Sequence, residues 1–210
     1  MSSLQFAVLV PVKPPAHGKS RLVGTSAGLR RELAAAFALD TVAACLAAER
    51  VGAVLAVTDD ASFSRRLTEA GCSAIPDGVA GDLNATLRQA AAEAGRRWPG
   101  LVPAAVCADL PGLLPGDLDA ALAAVPSGRP AFVADAAGVG TTMYAAPHEQ
   151  FDPHFGVGSR RTHLGTGARE IEGDLRTLRH DVDDLEDLRV VLGLGVGPRT
   201  SAAAATVRTR

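Results

Sequence analysis

The stretch Phe6-Ala7-Val8-Leu9-Val10-Pro11-Val12-Lys13-Pro14-Pro15-Ala16-His17-Gly18-Lys19-Ser20-Arg21-Leu22 decides how the rest of the chain reads. An unbroken apolar run such as Phe6 to Val12 suits a strand covered on both faces, as in a parallel sheet, rather than the alternating pattern of a half-exposed one. The run opens into a basic loop punctuated by prolines and Gly18. At the C-terminal end of a first parallel strand, such a loop can surround phosphates with backbone amides and side-chain cations. Gly18-Lys19-Ser20 matches the end of a Walker A loop, but Lys13 stands where that motif requires its earlier glycine. The segment is therefore a triphosphate-binding candidate of a different kind, with Lys13, Lys19 and Arg21 as its cations; the competing reading is a solvated basic connection.

Lysine usage favours the first reading. Lys13 and Lys19 are the only lysines in a chain with 21 lysines and arginines. Compact ammonium groups in one loop, where every other basic residue is arginine, point to a site whose geometry a planar guanidinium does not fit.

Working outward, strand-like runs alternate with helical patterns: Val51 to Val57 then Ala61 to Ala70, Ser73 to Ile75 then Leu83 to Arg97, Val102 to Ala108 then Pro115 to Val125, with Ala27 to Ala48 as the first helix. This rhythm predicts a single α/β domain, Rossmann-like, with a mainly parallel central sheet and its chemistry along the C-terminal strand edge. Ala131 to Asp135 and Thr141 to Ala146, joined by a Gly-rich turn, predict a local antiparallel excursion. Ser159 is a candidate N-cap for a helix from Arg160 to about Ile171, and Asp183 or Asp184 for one ending near Leu194. Gly193-Leu194-Gly195-Val196-Gly197 follows a helix and reads as its stop. The domain is expected over 1–197, with 198–210 a disordered tail.

The bulk properties set limits on function. With 210 residues and 47% hydrophobic side chains, one sizeable core is expected. A net charge of −2 provides no general field for nucleic acid or an anionic membrane. No leader or membrane span is legible at the start, so a cytoplasmic location is expected, with Cys45, Cys72 and Cys107 as reduced, buried thiols.

Three further segments carry possible chemistry. Asp109, directly after the apolar run ending at Ala108, would stand at a strand end as an oxygen ligand for a hard cation, or would open an Asx-turn before Pro111. Asp181 and Asp183 project to one side of an extended segment and, with Asp109, would make a three-carboxylate Mg²⁺ site, although Asp183 and Asp184 also suit helix capping. Gly140-Thr141-Thr142 with Phe155 to Arg161 would receive a second, smaller phosphate through hydroxyls and glycine amides; taken alone, a flexible loop with a capping serine is the plainer reading.

Taken in order, Val10-Pro11-Val12-Lys13, Lys19-Ser20-Arg21-Leu22, Asp82-Leu83-Asn84, Ala108-Asp109-Leu110-Pro111, Gly140-Thr141-Thr142, Phe155-Gly156 with Ser159, and Asp181-Val182-Asp183 resemble the guanylyltransferases of coenzyme F(420) biosynthesis, which activate 2-phospho-L-lactate or phosphoenolpyruvate with GTP. The resemblance implies a glycosyltransferase-A-type nucleotidyltransferase fold. It implies GTP at Lys13, Lys19, Ser20 and Arg21, with Asn84 near the guanine, and Mg²⁺ on Asp109, Asp181 and Asp183. The acceptor acid would touch Thr141, Gly156 and Ser159. The Ala/Arg/Gly-rich composition is similar to that of high-GC actinobacterial proteins and associates the chain with phosphoenolpyruvate as acceptor. The expected reaction gives enolpyruvoyl-2-diphospho-5'-guanosine and pyrophosphate. Its rivals are the same reaction on 2-phospho-L-lactate, a nucleotidyltransferase for a sugar phosphate or pterin cofactor, and a non-catalytic nucleotide-binding regulator.

Overall fold

The computed structural model describes residues 4–13, 26–79 and 81–208. Strand β1 (Phe6–Pro11) leads to α1 (Ala27–Ala47), followed by β2 (Val51–Val57), α2 (Ala61–Glu69), β3 (Ser73–Ile75), α3 (Leu83–Arg97), β4 (Val102–Val106) and α4 (Pro115–Ala123). Then come β5 (Ala131–Ala134), β6 (Thr141–Ala145), α5 (Ser159–Gly165), β7 (Arg169–Glu170), α6 (Arg176–Arg179), α7 (Leu185–Leu194) and α8 (Pro198–Arg208).

All seven strands form one sheet in the order β3-β2-β1-β4-β6-β5-β7. The pairs β3·β2, β2·β1, β1·β4 and β5·β7 are parallel, while β6 runs antiparallel to both neighbours, β4 and β5. Phe6 to Val10 of β1 are 0% exposed, which accounts for the continuous apolar run: side chains of both parities meet a packed layer. Phe6, Val8 and Val10 join the core with Leu39 and Val42 of α1 and Leu118 and Leu122 of α4. Ala7 and Leu9 join the opposite core with Leu87, Ala90 and Ala94 of α3. The single α/β domain and mainly parallel sheet agree with the reading from sequence, and the antiparallel excursion is strand β6.

Side chains set the helix starts. Ser26 accepts from the Leu29 amide, Asp60 from Ser62 and Phe63, and Asp82 from Asn84 and Ala85. Asp184 caps α7 in a reciprocal capping box with Asp187, so the capping role falls to Asp184 and not to Asp183. Gly195, at φ 104°, ends α7, as the glycine run suggests.

Two expectations are corrected. Residues 198–208 are not a disordered tail: they form α8, with Ala203 and Ala204 buried. The anchor is Asp40 of α1, 5% exposed, whose carboxylate accepts from the amides of Arg199 at 3.3 Å and Thr200 at 2.7 Å. A carboxylate on the orphan amides of a helix start satisfies donors and dipole together. An alanine face carries almost no hydrophobic periodicity, and the cap comes from far away in sequence. The second correction concerns the helix expected from Arg160 to Ile171. It begins one residue earlier with Gly158 in the cap position and stops at Gly165; Gly167, at φ 84°, then turns the chain into β7.

Candidate active site at the C-terminal edge of the sheet

Lys19, Ser20 and Arg21, expected from the sequence to bind the triphosphate, lie outside the described residues. Lys13 is described and exposed, just beyond β1. In the β1·β4 pairing Leu9 stands opposite Ala105, and Lys13 and Asp109 each follow their paired residue by four positions, so cation and carboxylate leave the sheet on the same edge from adjacent strands.

Asp109 meets the other two aspartates through a backbone bond: the Val182 amide donates to the Asp109 carbonyl at 3.0 Å, with Val182 itself fully buried. This brings Asp181 and Asp183, which flank Val182, up to the Asp109 loop. One carboxylate oxygen from each of Asp109, Asp181 and Asp183 lies within 4.8 Å of the others. The segment before them is held by α6, where Arg179 donates to the carbonyls of Ala134 and Ile171 and Thr177 binds Asp117 of α4. Burial, reinforced by the Asp109 and Asp183 carboxylates, raises the Asp181 carboxyl to about 7. Three converging carboxylates, one strongly resisting ionisation without a counter-charge, fit a hard divalent cation.

Strand β6 supplies the neighbouring wall. Its pairing with β5 runs Phe132 to Tyr144 and Val133 to Met143, then jumps to Ala134 with Thr141, leaving Thr142 as the extra residue of a bulge. Strict alternation would put Thr141 on the Met143 face; the bulge turns it onto the face of Tyr144, Phe132 and Ala134. The arrangement has a cost, since Thr142 Oγ1 is buried without a hydrogen-bond partner. Cys107, two residues before Asp109, donates its amide to the Thr142 carbonyl at 2.9 Å and so links this wall to the acidic cluster. Asp135 closes the preceding Gly-rich turn by accepting from Val139 and Gly140, and a Cβ on Gly140 would collide with its carboxylate.

Thr141 and Ser159 meet directly, the Ser159 hydroxyl donating to Thr141 Oγ1 at 3.1 Å. Ser159 is thus not the helix cap; its hydroxyl is used on β6. Gly156, at φ 137°, and Gly158, at φ 70°, shape the loop between them, and the Ser159 amide donates to the Gly156 carbonyl. Asn84 reaches the same loop: its Oδ1 accepts from the Phe155 amide at 2.8 Å and its Nδ2 donates to the Phe155 carbonyl at 3.0 Å. In this structure the Asn84 amide grips the loop of Phe155 with both ends. Buried His163, which no motif in the sequence marks, stacks on Tyr144 and bonds Thr141 from below.

The mainly parallel α/β sheet, with a carboxylate trio, a lysine and a glycine-hydroxyl loop at its C-terminal edge, is the fold of the nucleotidyltransferases of the glycosyltransferase-A-like class. A nucleotidyl transferase from Methanothermobacter thermautotroptrophicus shares the fold, with TM-score 0.60 and 15% identity over 92% of this chain and 98% of that one. A 4-diphosphocytidyl-2C-methyl-D-erythritol synthase does so with TM-score 0.59 and 13% identity over 91% and 99%. Residues 6–201 match the family described as Guanylyl transferase CofC like, and the chain belongs to that family. It is 50% identical to the phosphoenolpyruvate guanylyltransferase of Streptomyces scabiei over 96% of this chain and 97% of that protein. Its identity to the protein of the same name from Thermomonospora curvata is 46%, over 97% and 90%.

Proposed function

We propose that the chain transfers GMP from GTP to phosphoenolpyruvate, forming enolpyruvoyl-2-diphospho-5'-guanosine and pyrophosphate in coenzyme F(420) biosynthesis. The observation that carries this reading is the convergence of Asp109, Asp181 and Asp183 at the strand edge where Lys13 also emerges, linked by the Cys107–Thr142 backbone bond to the strand whose Thr141 hydroxyl accepts from Ser159. The names of the relatives at 50% and 46% identity support phosphoenolpyruvate as the acceptor.

An acceptor phosphate oxygen attacks the α-phosphorus of GTP; the bond to the bridging oxygen breaks and pyrophosphate leaves with that electron pair. A phosphate monoester is already largely ionised near neutrality, its second pKa being about 6, so the attack needs no dedicated base. The difficulty is bringing two anions together. Lys13, joined by Lys19 and Arg21, screens the triphosphate, while Thr141, the Gly156 loop and Ser159 orient the acceptor for in-line attack. Asp109, Asp181 and Asp183 would hold Mg²⁺, which neutralises triphosphate charge when bound.

Incubating the protein with GTP, Mg²⁺ and either phosphoenolpyruvate or 2-phospho-L-lactate, with the product identified by mass, tests the assignment. The expected result is the enolpyruvoyl product with pyrophosphate release. Guanylylation of phospholactate alone would move the acceptor, and no pyrophosphate with either acid would remove the activity.

A further inference from the structure

His163 of α5 is 0% exposed and lies between aromatic rings, its centroid 4.8 Å from Tyr144 and 5.3 Å from Phe132, both stacked. Its two ring nitrogens have partners that determine its proton. The His154 backbone N–H points at Nε2 from 2.9 Å, and a backbone amide can only donate, so Nε2 is the bare, accepting nitrogen. The proton of the neutral ring is therefore on Nδ1, which lies 3.0 Å from Thr141 Oγ1 and donates to it. Ser159 donates to the same oxygen at 3.1 Å. A threonine oxygen has two lone pairs and one proton. With both lone pairs occupied, the Thr141 proton is the one left to donate outside this network.

We propose that His163 is a positioning residue: as the Nδ1–H tautomer held by the His154 amide, it fixes Thr141 as an outward hydrogen-bond donor to the anionic acceptor. The inference rests on Thr141 and Ser159 serving the phosphoacid, as proposed above. The stacked rings hold the imidazole plane, and the β6 bulge brings Thr141 to it; alternation without the bulge would leave the hydroxyl on the other side of the sheet. The His154 amide and Asn84, through Phe155, tie the acceptor loop to the same hub.

Two substitutions separate positioning from packing. His163→Phe keeps an aromatic ring for Tyr144 and Phe132 but deletes both nitrogens. His163→Asn loses the stacking but keeps an amide donor near the Nδ1 position. The Michaelis constant for phosphoenolpyruvate is expected to rise about tenfold or more in His163→Phe, with that for GTP changed less than about twofold, and to stay within about threefold of wild type in His163→Asn despite its lower melting temperature. The reverse order, or equal rises for both substrates in both variants, would make His163 a packing residue and overturn the proposal. Should neither variant fold, ¹⁵N spectra of wild-type histidines decide: a protonated Nδ1 is expected for His163, and a protonated Nε2 overturns it. Thr141→Val run alongside separates the two levels, because an unchanged phosphoenolpyruvate constant there removes the acceptor site itself even where the spectra show the expected tautomer.

Discussion

Single residues at this site owe their properties to their neighbours. Asp181 is pushed to about 7 by burial and by the Asp109 and Asp183 carboxylates, a charge conflict that a bound cation would relieve. Asp109→Asn and Asp183→Asn, which remove charge without volume, are each expected to lower kcat/KM by about a hundredfold or more while circular dichroism stays native. Turnover near wild type in both would exclude the cluster as the metal site. His163 responds to pH in the opposite sense to a paired histidine. Burial first, and then the nearby His154, lower it to about 4 against the opposing pull of Asp152. The unfolded ring takes its proton near pH 6.5, so between 6.5 and 4 the unfolded state binds more protons and stability rises with pH. The contribution is complete above pH 6.5 and is lost as pH falls toward 4, amounting to on the order of 3 kcal/mol. Denaturant unfolding of wild type and His163→Phe across pH 4–7 should show the difference between them shrinking toward acid pH.

At the scale of elements, α8 shows how a helix with little intrinsic signal becomes part of a core. Its apolar face is alanine, and its start is capped by Asp40 from α1, which also pairs with the Arg199 guanidinium at 3.6 Å. Asp40→Ala is expected to cost about 1–2 kcal/mol, as for loss of a good cap. The effect should be confined to one region, with hydrogen exchange of residues 198–208 accelerating while the β1 to β4 strands stay protected; uniform acceleration would mean that Asp40 supports the whole core. Gly197 belongs to the same joint, because a Cβ there would run into the Asp40 carboxylate. Strand β6 illustrates the complementary case, in which a bulge of one residue changes the face that Thr141 presents.

Over the whole molecule, the candidate active edge is assembled from distant segments: the end of β1, the end of β4, and residues 181–183 pinned to it by one backbone bond. A ligand that needs all of these stabilises only the folded chain. Mg²⁺ at about 100 times its dissociation constant is expected to add about 2.7 kcal/mol, a rise of several degrees in melting temperature, and Asp109→Asn should abolish that rise. The parallel strands, most of their helices, Asp109 at a strand end and the Asp181-Val182-Asp183 pair were legible in the sequence, because two-sided burial writes continuous apolar runs and strand ends follow directly from them. The amphipathic α2 and α3 were legible for a related reason, as helical spacing survives in a linear reading. Tertiary structure alone decided the insertion of antiparallel β6 between β4 and β5, the bulge that turns Thr141, the use of Ser159 on β6 instead of as a cap, the grip of Asn84 on Phe155, and the docking of α8 by Asp40. Each of these depends on a partner far away along the chain or on a one-residue change of register, and neither leaves a periodic trace in the sequence. His163 belongs with them: a lone histidine in the stretch Arg160-Arg161-Thr162-His163-Leu164 acquires its tautomer, and with it a role, only from the amide and the hydroxyl that folding brings to its two nitrogens.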